Sequence, residues 1–430
     1  MKKFVTYILI FVCLMNITVC ASQKNLDAIE APTYLLADGT NNSYLMEENC
    51  TTNLGINNFS KIMTAILVIE KLKPDDLVAF ADDTHIFYSN GFGNIAMTKT
   101  GTVMTVSEHL HNMMLLYSDA SAIALAKAHS GSEEAFVKAM NDKAAQLSMT
   151  GTVFASSDGH DSTGNAKTTA QDLYKLMRHA MRLNLFREIS ATVEFTLPTG
   201  ADGTTRNFTS RNHLLSKYTY SSYLYSNAVA GFISYSESGT SFIAVCDNNG
   251  RNLYALVLNT PDDGTQVYLD AINLAEHGYN SYQSVILAKK GTYLQQIPLK
   301  SAIEADAVLV TDRDVSALLP IGYKEEDVTL QTTVPEYLKA PLKAGDSCGT
   351  AQYFYQGRPL VTCALVAEKD IKSAPLGWIL RLFSKFNTWL VLVIIVAVSF
   401  PLYSHYKRAK RREELKRRKR EIMGNDKQGM

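Results

Sequence analysis

The sequence predicts an α+β protein: a domain of mixed helices and strands, a small β-rich domain after it, and a C-terminal membrane helix. Three observations predict this. Helical and strand patterns interleave as far as about Ser284, the helical signal then fades in favour of short strands, and no charge occurs from Phe386 to Tyr403. The 430 residues allow two or three domains, and 46% hydrophobic with 20% charged residues is the composition of an ordinary globular body.

The chain opens with Lys2 and Lys3, an apolar run from Phe4 to Val12, and small residues near Cys20-Ala21-Ser22. That order is a secretory signal peptide over 1–21 with cleavage near Ala21; the alternative is an uncleaved anchor helix. Val19 is too large for the position before a lipidated cysteine, so Cys20 is not read as a lipid attachment site.

The mixed domain occupies 22–284. Tyr34 to Ala37 reads as a strand, and Lys61 to Lys71 as a mostly apolar helix fit for burial on all sides. Thr105-Val-Ser-Glu108 is a capping box that opens a helix carrying Leu110, Met113 and Met114 to the core. Ser121 to Ala128 is a small-residue helical run, and Glu133 to Leu147 places Phe136, Met140, Ala144 and Leu147 on one stripe. Thr169 to Asp172 starts a helix ending near Arg182. Ser241–Cys246 and Leu253–Leu258 are strands joined by the turn sequence Asp247-Asn-Asn-Gly250.

The β-rich domain occupies 285–372. Ala307–Thr311, Val328–Thr332, Thr350–Tyr355 and Leu360–Ala364 are its strand candidates, punctuated by Gly345, Gly349 and Gly357. Cys348 and Cys363 flank a hairpin turn at Gln356-Gly357. Strand parity puts them on one face with an offset, so a strained diagonal disulfide is one reading and free buried thiols the preferred one.

Residues 373–385, with Trp378, Ile379, Leu382 and Phe383, read as an amphipathic juxtamembrane segment or equally as the first turns of a longer membrane helix, and 386–403 is the expected membrane span. The tail over 404–430 carries 11 Lys/Arg against 4 Asp/Glu. Positive charge stays cytoplasmic, so the body is expected outside the cell membrane and the tail inside, either along anionic lipid or as a simple stop-transfer signal. The net charge of zero hides this asymmetry. Without its two ends the body carries nine net negative charges, which excludes a nucleic-acid footprint. No Cys/His spacing suggests a metal site, and no motif calls for a cofactor.

Asn58-Phe-Ser-Lys61-Ile-Met-Thr-Ala, Gly131-Ser-Glu-Glu-Ala-Phe136, Ser148-Met-Thr-Gly-Thr152-Val-Phe154, Thr169-Ala-Gln-Asp-Leu173, Arg211-Asn-His-Leu-Leu215 and Ala340-Pro-Leu-Lys-Ala-Gly345 mark the segments that carry a family likeness. From about Ala31 to Glu368 the chain resembles the serine D-Ala-D-Ala carboxypeptidases, the low-molecular-mass penicillin-binding proteins of peptidase family S11. The resemblance implies a β-lactamase/transpeptidase-like fold followed by a β-rich domain, and a substrate class of peptidoglycan stem peptides.

The same resemblance makes the chemistry checkable position by position. The family places a serine one helical turn before a lysine, so that the amine can accept the hydroxyl proton. Here Lys61 is present but Asn58 holds the nucleophile position, and Ser60 points about 100° away around the helix. The second motif, Ser-x-Asn, reads Ser118-Asp119-Ala120, so the amide is lost at Ala120. The third, Lys-Thr-Gly, reads Ile233-Ser234-Tyr235, which removes the cation for a terminal carboxylate. Ile233, Ser234, Tyr235 and Ala120 are expected to line the retained cleft.

Three damaged motifs amid matching core segments imply a folded, non-catalytic relative. It would bind stem peptides or an envelope protein partner in a regulatory role. The alternative is an active carboxypeptidase with a rearranged Ser118–Lys61 dyad. Otherwise Lys61 serves structure, bonded to Ser118 and Asn58. The histidines, His85, His109, His111, His129, His160, His179 and His213, show no triad spacing. Tyr218, Tyr220, Tyr223 and Tyr225 suit a polar aromatic loop better than a glycan groove.

Overall fold

A computed structural model describes residues 29–80, 102–161, 164–197, 206–216, 221–261, 264–374, 376 and 388–425. The signal peptide, His85, Tyr218 and Tyr220, and nearly all of the juxtamembrane segment lie outside these residues. The chain divides into two compact units. The first runs through Val285 and includes Ser316–Thr329 and Phe354–Val361; the second comprises Ile286–Val315, Leu330–Tyr353 and the chain from Thr362 onward.

The first unit is built on an antiparallel five-stranded sheet in the order β2-β1-β9-β8-β7. Its strands are β1 (Thr33–Asp38), β2 (Ser43–Glu48), β7 (Ala228–Ser236), β8 (Gly239–Asn248) and β9 (Arg251–Thr260). β8 and β9 are apolar almost continuously because both sheet faces are covered. Leu35, Ile243, Val245, Leu256 and Leu258 join the core on one face, while Leu36, Phe242, Ala244, Ala255 and Val257 join the core on the other. This alternation is the period of two expected of strands.

The first core also receives the helices α1 (Ser60–Lys71), α2 (Val106–Leu116), α3 (Asp119–Ser130), α4 (Glu133–Gln146), α5 (Ala170–Ala180) and α6 (Asn184–Ala191). The second core is closed by α7 (Gln266–Ser281). Ser60 to Val68 are buried without interruption, so α1 is enclosed on every side as its composition predicts. The capping box of α2 is present: Thr105 Oγ1 accepts from Glu108 N–H at 3.2 Å, and Glu108 Oε2 accepts from Thr105 N–H at 2.7 Å. Two further short pairs, β3 (Leu77–Ala79) with β4 (Val103–Thr105) and β5 (Glu194–Leu197) with β6 (Arg206–Thr209), complete this part.

The β-rich part contains β10 (Tyr282–Ala288), β11 (Tyr293–Lys300), β12 (Asp306–Thr311), β13 (Val315–Pro320), β14 (Val328–Thr333), β15 (Leu338–Lys339), β16 (Ser347–Tyr355) and β17 (Arg358–Ala367). Six of them form a sheet in the order β14-β16-β17-β12-β11-β15. All four strands expected from sequence occur, with four more beside them. Cys348 and Cys363 are buried free thiols, as are Cys50 and Cys246.

A last helix, α8 (Thr388–Asn425), contains Pro401. Among the described residues no helix is long and apolar enough to cross a membrane. Phe386 and Asn387, where the expected span begins, lie outside the described residues.

Candidate functional site

The candidate site lies where the start of α1, the α2–α3 junction and the edge strand β7 meet. Asn58 sits in a single 3-10 turn, Asn57–Phe59, that leads straight into α1. Buried Ile56 and Phe59 fasten this turn to the core, and the Phe59 ring packs 6.2 Å from that of Phe232 on β7. Lys61, one turn after Asn58, therefore reaches back over it, as the three-residue spacing requires.

Lys61 is fully enclosed, at 0% exposure. A cation in the first turn of a helix opposes the helix dipole, and burial deprives it of water, so its partners must supply the compensation. Its Nζ donates to Asn58 Oδ1 at 3.0 Å and to the backbone carbonyl of Asp158, and pairs with Asp119 Oδ1 at 2.8 Å. An ammonium has three donors, and here all three are used. No hydroxyl is among the acceptors.

Ser118 is the N-cap of α3. Its Oγ accepts from Ser121 N–H at 3.2 Å, and it makes no hydrogen bond to Lys61. The lysine's expected partner Asn58 is thus in place, while the other bond goes to Asp119, the next residue along. Asp119 begins α3, where a carboxylate is favoured by the helix dipole, and remains 24% exposed. Ala120 is buried in the first core. Ser60 Oγ, beside Lys61 in sequence, is enclosed without a hydrogen-bond partner.

Tyr117 closes the opposite side. It ends α2 in the left-handed region, at φ 61°, an uncommon conformation for a bulky residue. Its Oη accepts from Ile233 N–H at 3.2 Å, on the open edge of β7, and its ring meets Phe232 edge-on at 4.9 Å. The Arg211 guanidinium lies 5.8 Å from the centre of the Tyr117 ring. Burial pushes the Tyr117 phenol above its usual range, which keeps it a neutral hydroxyl.

Of the four positions expected to line the cleft, only Tyr235 is partly exposed. Ile233 is fully buried in the second core, Ser234 Oγ is buried without a hydrogen-bond partner, and Ala120 is 4% exposed.

The loop from Ser156 to His160 completes the enclosure. Asp158 Oδ1 accepts from Ser156 Oγ at 2.6 Å and from His160 N–H at 2.9 Å, which shapes the loop and turns the Asp158 carbonyl toward Lys61. Thr64 Oγ1 donates to the Ser157 carbonyl at 2.7 Å, and Ser157 N–H donates to Glu133 Oε1 at 2.7 Å. Burial pushes the Glu133 carboxyl above the usual range.

A serine–histidine contact that no sequence spacing signals also occurs. Ser121 Oγ lies 3.2 Å from His109 Nδ1, and Asn112 Nδ2 donates to it at 2.9 Å. Both Ser121 and His109 have 0% exposure and His109 Nε2 is bonded to the Val78 carbonyl, so this cluster braces α2 against α3. Sequence reasoning missed Asp119, Tyr117 and the Asp158 carbonyl. Asp119 was discernible: a carboxylate in the middle of the second motif, beside a lysine that must be neutralised if buried. Nothing in sequence signals a backbone carbonyl.

Residues 18–262 match the family described as D-alanyl-D-alanine carboxypeptidase, and residues 282–373 match the penicillin-binding protein 5 C-terminal domain. The D-alanyl-D-alanine carboxypeptidase DacF of Bacillus subtilis is 23% identical over 406 residues, which span 90% of this chain and 99% of that protein. DacC of Escherichia coli is 23% identical over 395 residues, 88% of this chain and 94% of that protein. Penicillin binding protein 5 from Haemophilus influenzae superposes with a TM-score of 0.65 at 20% identity, covering 80% of this chain and 98% of that one. A peptidoglycan synthesis regulatory factor (PBP3) from Streptococcus pneumoniae gives 0.64 at 20% identity, covering 80% and 100%. At such identities the structural likeness establishes the fold.

Proposed function

Because this chain belongs to the D-alanyl-D-alanine carboxypeptidase family yet brings no hydroxyl to its cleft lysine, we propose that it is a non-catalytic member with a binding or regulatory role at the cell envelope. The observation that carries this reading is the set of atoms around Lys61 Nζ: an amide oxygen, a carboxylate oxygen and a peptide carbonyl. Acyl transfer of the serine type needs a nucleophilic hydroxyl in reach of a base. Asn58 supplies an amide instead, and Ser118 Oγ accepts from Ser121 N–H in the first turn of α3 and makes no hydrogen bond to Lys61. The rearranged Ser118–Lys61 reading lacks the hydrogen bond that it requires.

The ligand class that fits the family is a peptidoglycan stem peptide, held beside β7 near Tyr235 without cleavage. The test is covalent labelling of the detergent-extracted full-length chain with a fluorescent penicillin, read by intact-protein mass. No adduct is expected. An adduct, mapped to Ser118, Ser60 or any other residue, overturns the reading. Binding is followed by titrating a stem pentapeptide, which Tyr235→Ala should weaken.

Membrane attachment belongs to the same proposal. The uncharged run from Phe386 to Tyr403 and the basic residues behind it support a single-pass anchor with the body outside and the tail on the cytoplasmic lipid face. Release of the full-length chain from membranes by alkaline carbonate refutes the anchor, and protease protection of the body in intact cells refutes its orientation.

A further inference from the structure

We infer that Asp119 is a second block on the cleft, independent of the missing serine: its carboxylate cancels the charge of Lys61, so no nucleophile placed at position 58 would be activated. This rests on the reading that the site is non-catalytic and says what, besides Asn58, makes it so. The Lys61 ammonium lies 3.0 Å from the Asn58 side chain and 2.8 Å from Asp119 Oδ1. An isolated cation at that distance stabilises an anion at position 58. A cation paired with a carboxylate presents a dipole whose field at position 58 is largely cancelled. Lys61 cannot turn to another partner, since it is fully enclosed and its remaining donors are held by Asn58 and the Asp158 carbonyl.

The other charged groups around the site are few. The Asp158 carboxylate is engaged by Ser156 and His160 of its own loop, Arg211 lies across the Tyr117 ring, and β7 contributes Phe232 and Ile233 here. None of them pairs with Lys61. Replacing Asn58 alone would therefore restore an atom and leave it inert; two positions must change together.

The experiment compares Asn58→Cys with Asn58→Cys/Asp119→Asn in the full-length chain in detergent, following iodoacetamide alkylation of the introduced thiol against pH. The four described native thiols are buried, and with Cys13 and Cys20 replaced by serine in both variants the introduced thiol is the one left to react. The single variant should titrate near the ordinary thiol value of about 8.5. The double variant should titrate lower by about one pH unit or more, reacting about tenfold faster well below that midpoint. Equal midpoints, or an already acidic thiol in the single variant, overturn the inference. Should Asn58→Cys not fold, melting temperatures of Lys61→Met, Asp119→Asn and their combination decide it with Asn58 in place. Losses in the double variant well below the sum of the single losses support the pairing, and simple additivity overturns it. A penicillin adduct on the unaltered chain would defeat the proposed function without touching the thiol comparison, so the two failures are distinguishable.

Discussion

Gly159→Ala probes how tightly the loop over Lys61 is held. Gly159 has a φ of +92°, and an added Cβ would lie 2.0 Å from the Asn57 carbonyl oxygen and 2.5 Å from its carbon. Both are backbone atoms and cannot swing aside, so either the loop or the 3-10 turn carrying Asn58 must move. The left-handed conformation costs an alanine about 1–2 kcal/mol. Displacing packed backbone adds about 1–3 kcal/mol. The loss should total about 2–5 kcal/mol. Gly164→Ala is the control, because it has φ +70° but no atom within 4 Å of its added Cβ. It should show the conformational part alone, about 1–2 kcal/mol. Urea denaturation of the detergent-solubilised chain, followed by far-UV circular dichroism, measures both. Equal losses in the two variants would refute the claim that the loop is clamped against Asn57.

Three further outcomes are expected. Arg251 donates to the carbonyls of Gly278, Tyr279 and Tyr282 at 2.9–3.1 Å, so Arg251→Met should lower stability by about 2 kcal/mol in the same denaturation assay. Burial raises the Glu133 carboxyl in the folded state, so its contribution is full below the unfolded value of about 4.3 and is lost as pH rises through the folded one. The melting temperature of wild type relative to Glu133→Gln should therefore fall between pH 4 and pH 7, and a rise instead contradicts the burial argument. Burial pushes the Cys50 and Cys246 thiols up to about 12 and raises those of Cys348 and Cys363. All four should resist Ellman's reagent in the native protein and react once denatured; only two reacting would indicate a disulfide.

Much of the fold was written in local pattern. Thr105 and Glu108 announced the start of α2, the apolar run after Lys61 announced an enclosed helix, and Asp247 to Gly250 announced the turn between β8 and β9. α7 escaped because its start carries no side-chain cap and Gly278 sits near its end, where helix propensity is weak. β11 and β13 escaped because Pro298 and Pro320 interrupt their patterns, and proline in a strand reads as a break. At the site, sequence spacing gave the Asn58–Lys61 contact, since it depends only on helix geometry. The Asp119 pairing depends on how α3 docks beside α1, and the Asp158 carbonyl on the shape of a distant loop. Neither is encoded in neighbouring residues. Ile233 was expected beside the cleft, yet strand alternation turns it into the second core.

That burial of Ile233 bears on what the position can accept. Its side chain belongs to a core that also holds Leu214, Phe242, Val257 and Leu274, all with essentially no exposure. A lysine there would push a charge among packed hydrocarbon before any ligand could offset it. Asn58, at the partly open end of α1, would take a small polar side chain without such an obstacle. The two positions therefore differ in what they tolerate: a polar exchange at 58 leaves the fold intact, while one at 233 disturbs the packing of a whole sheet face.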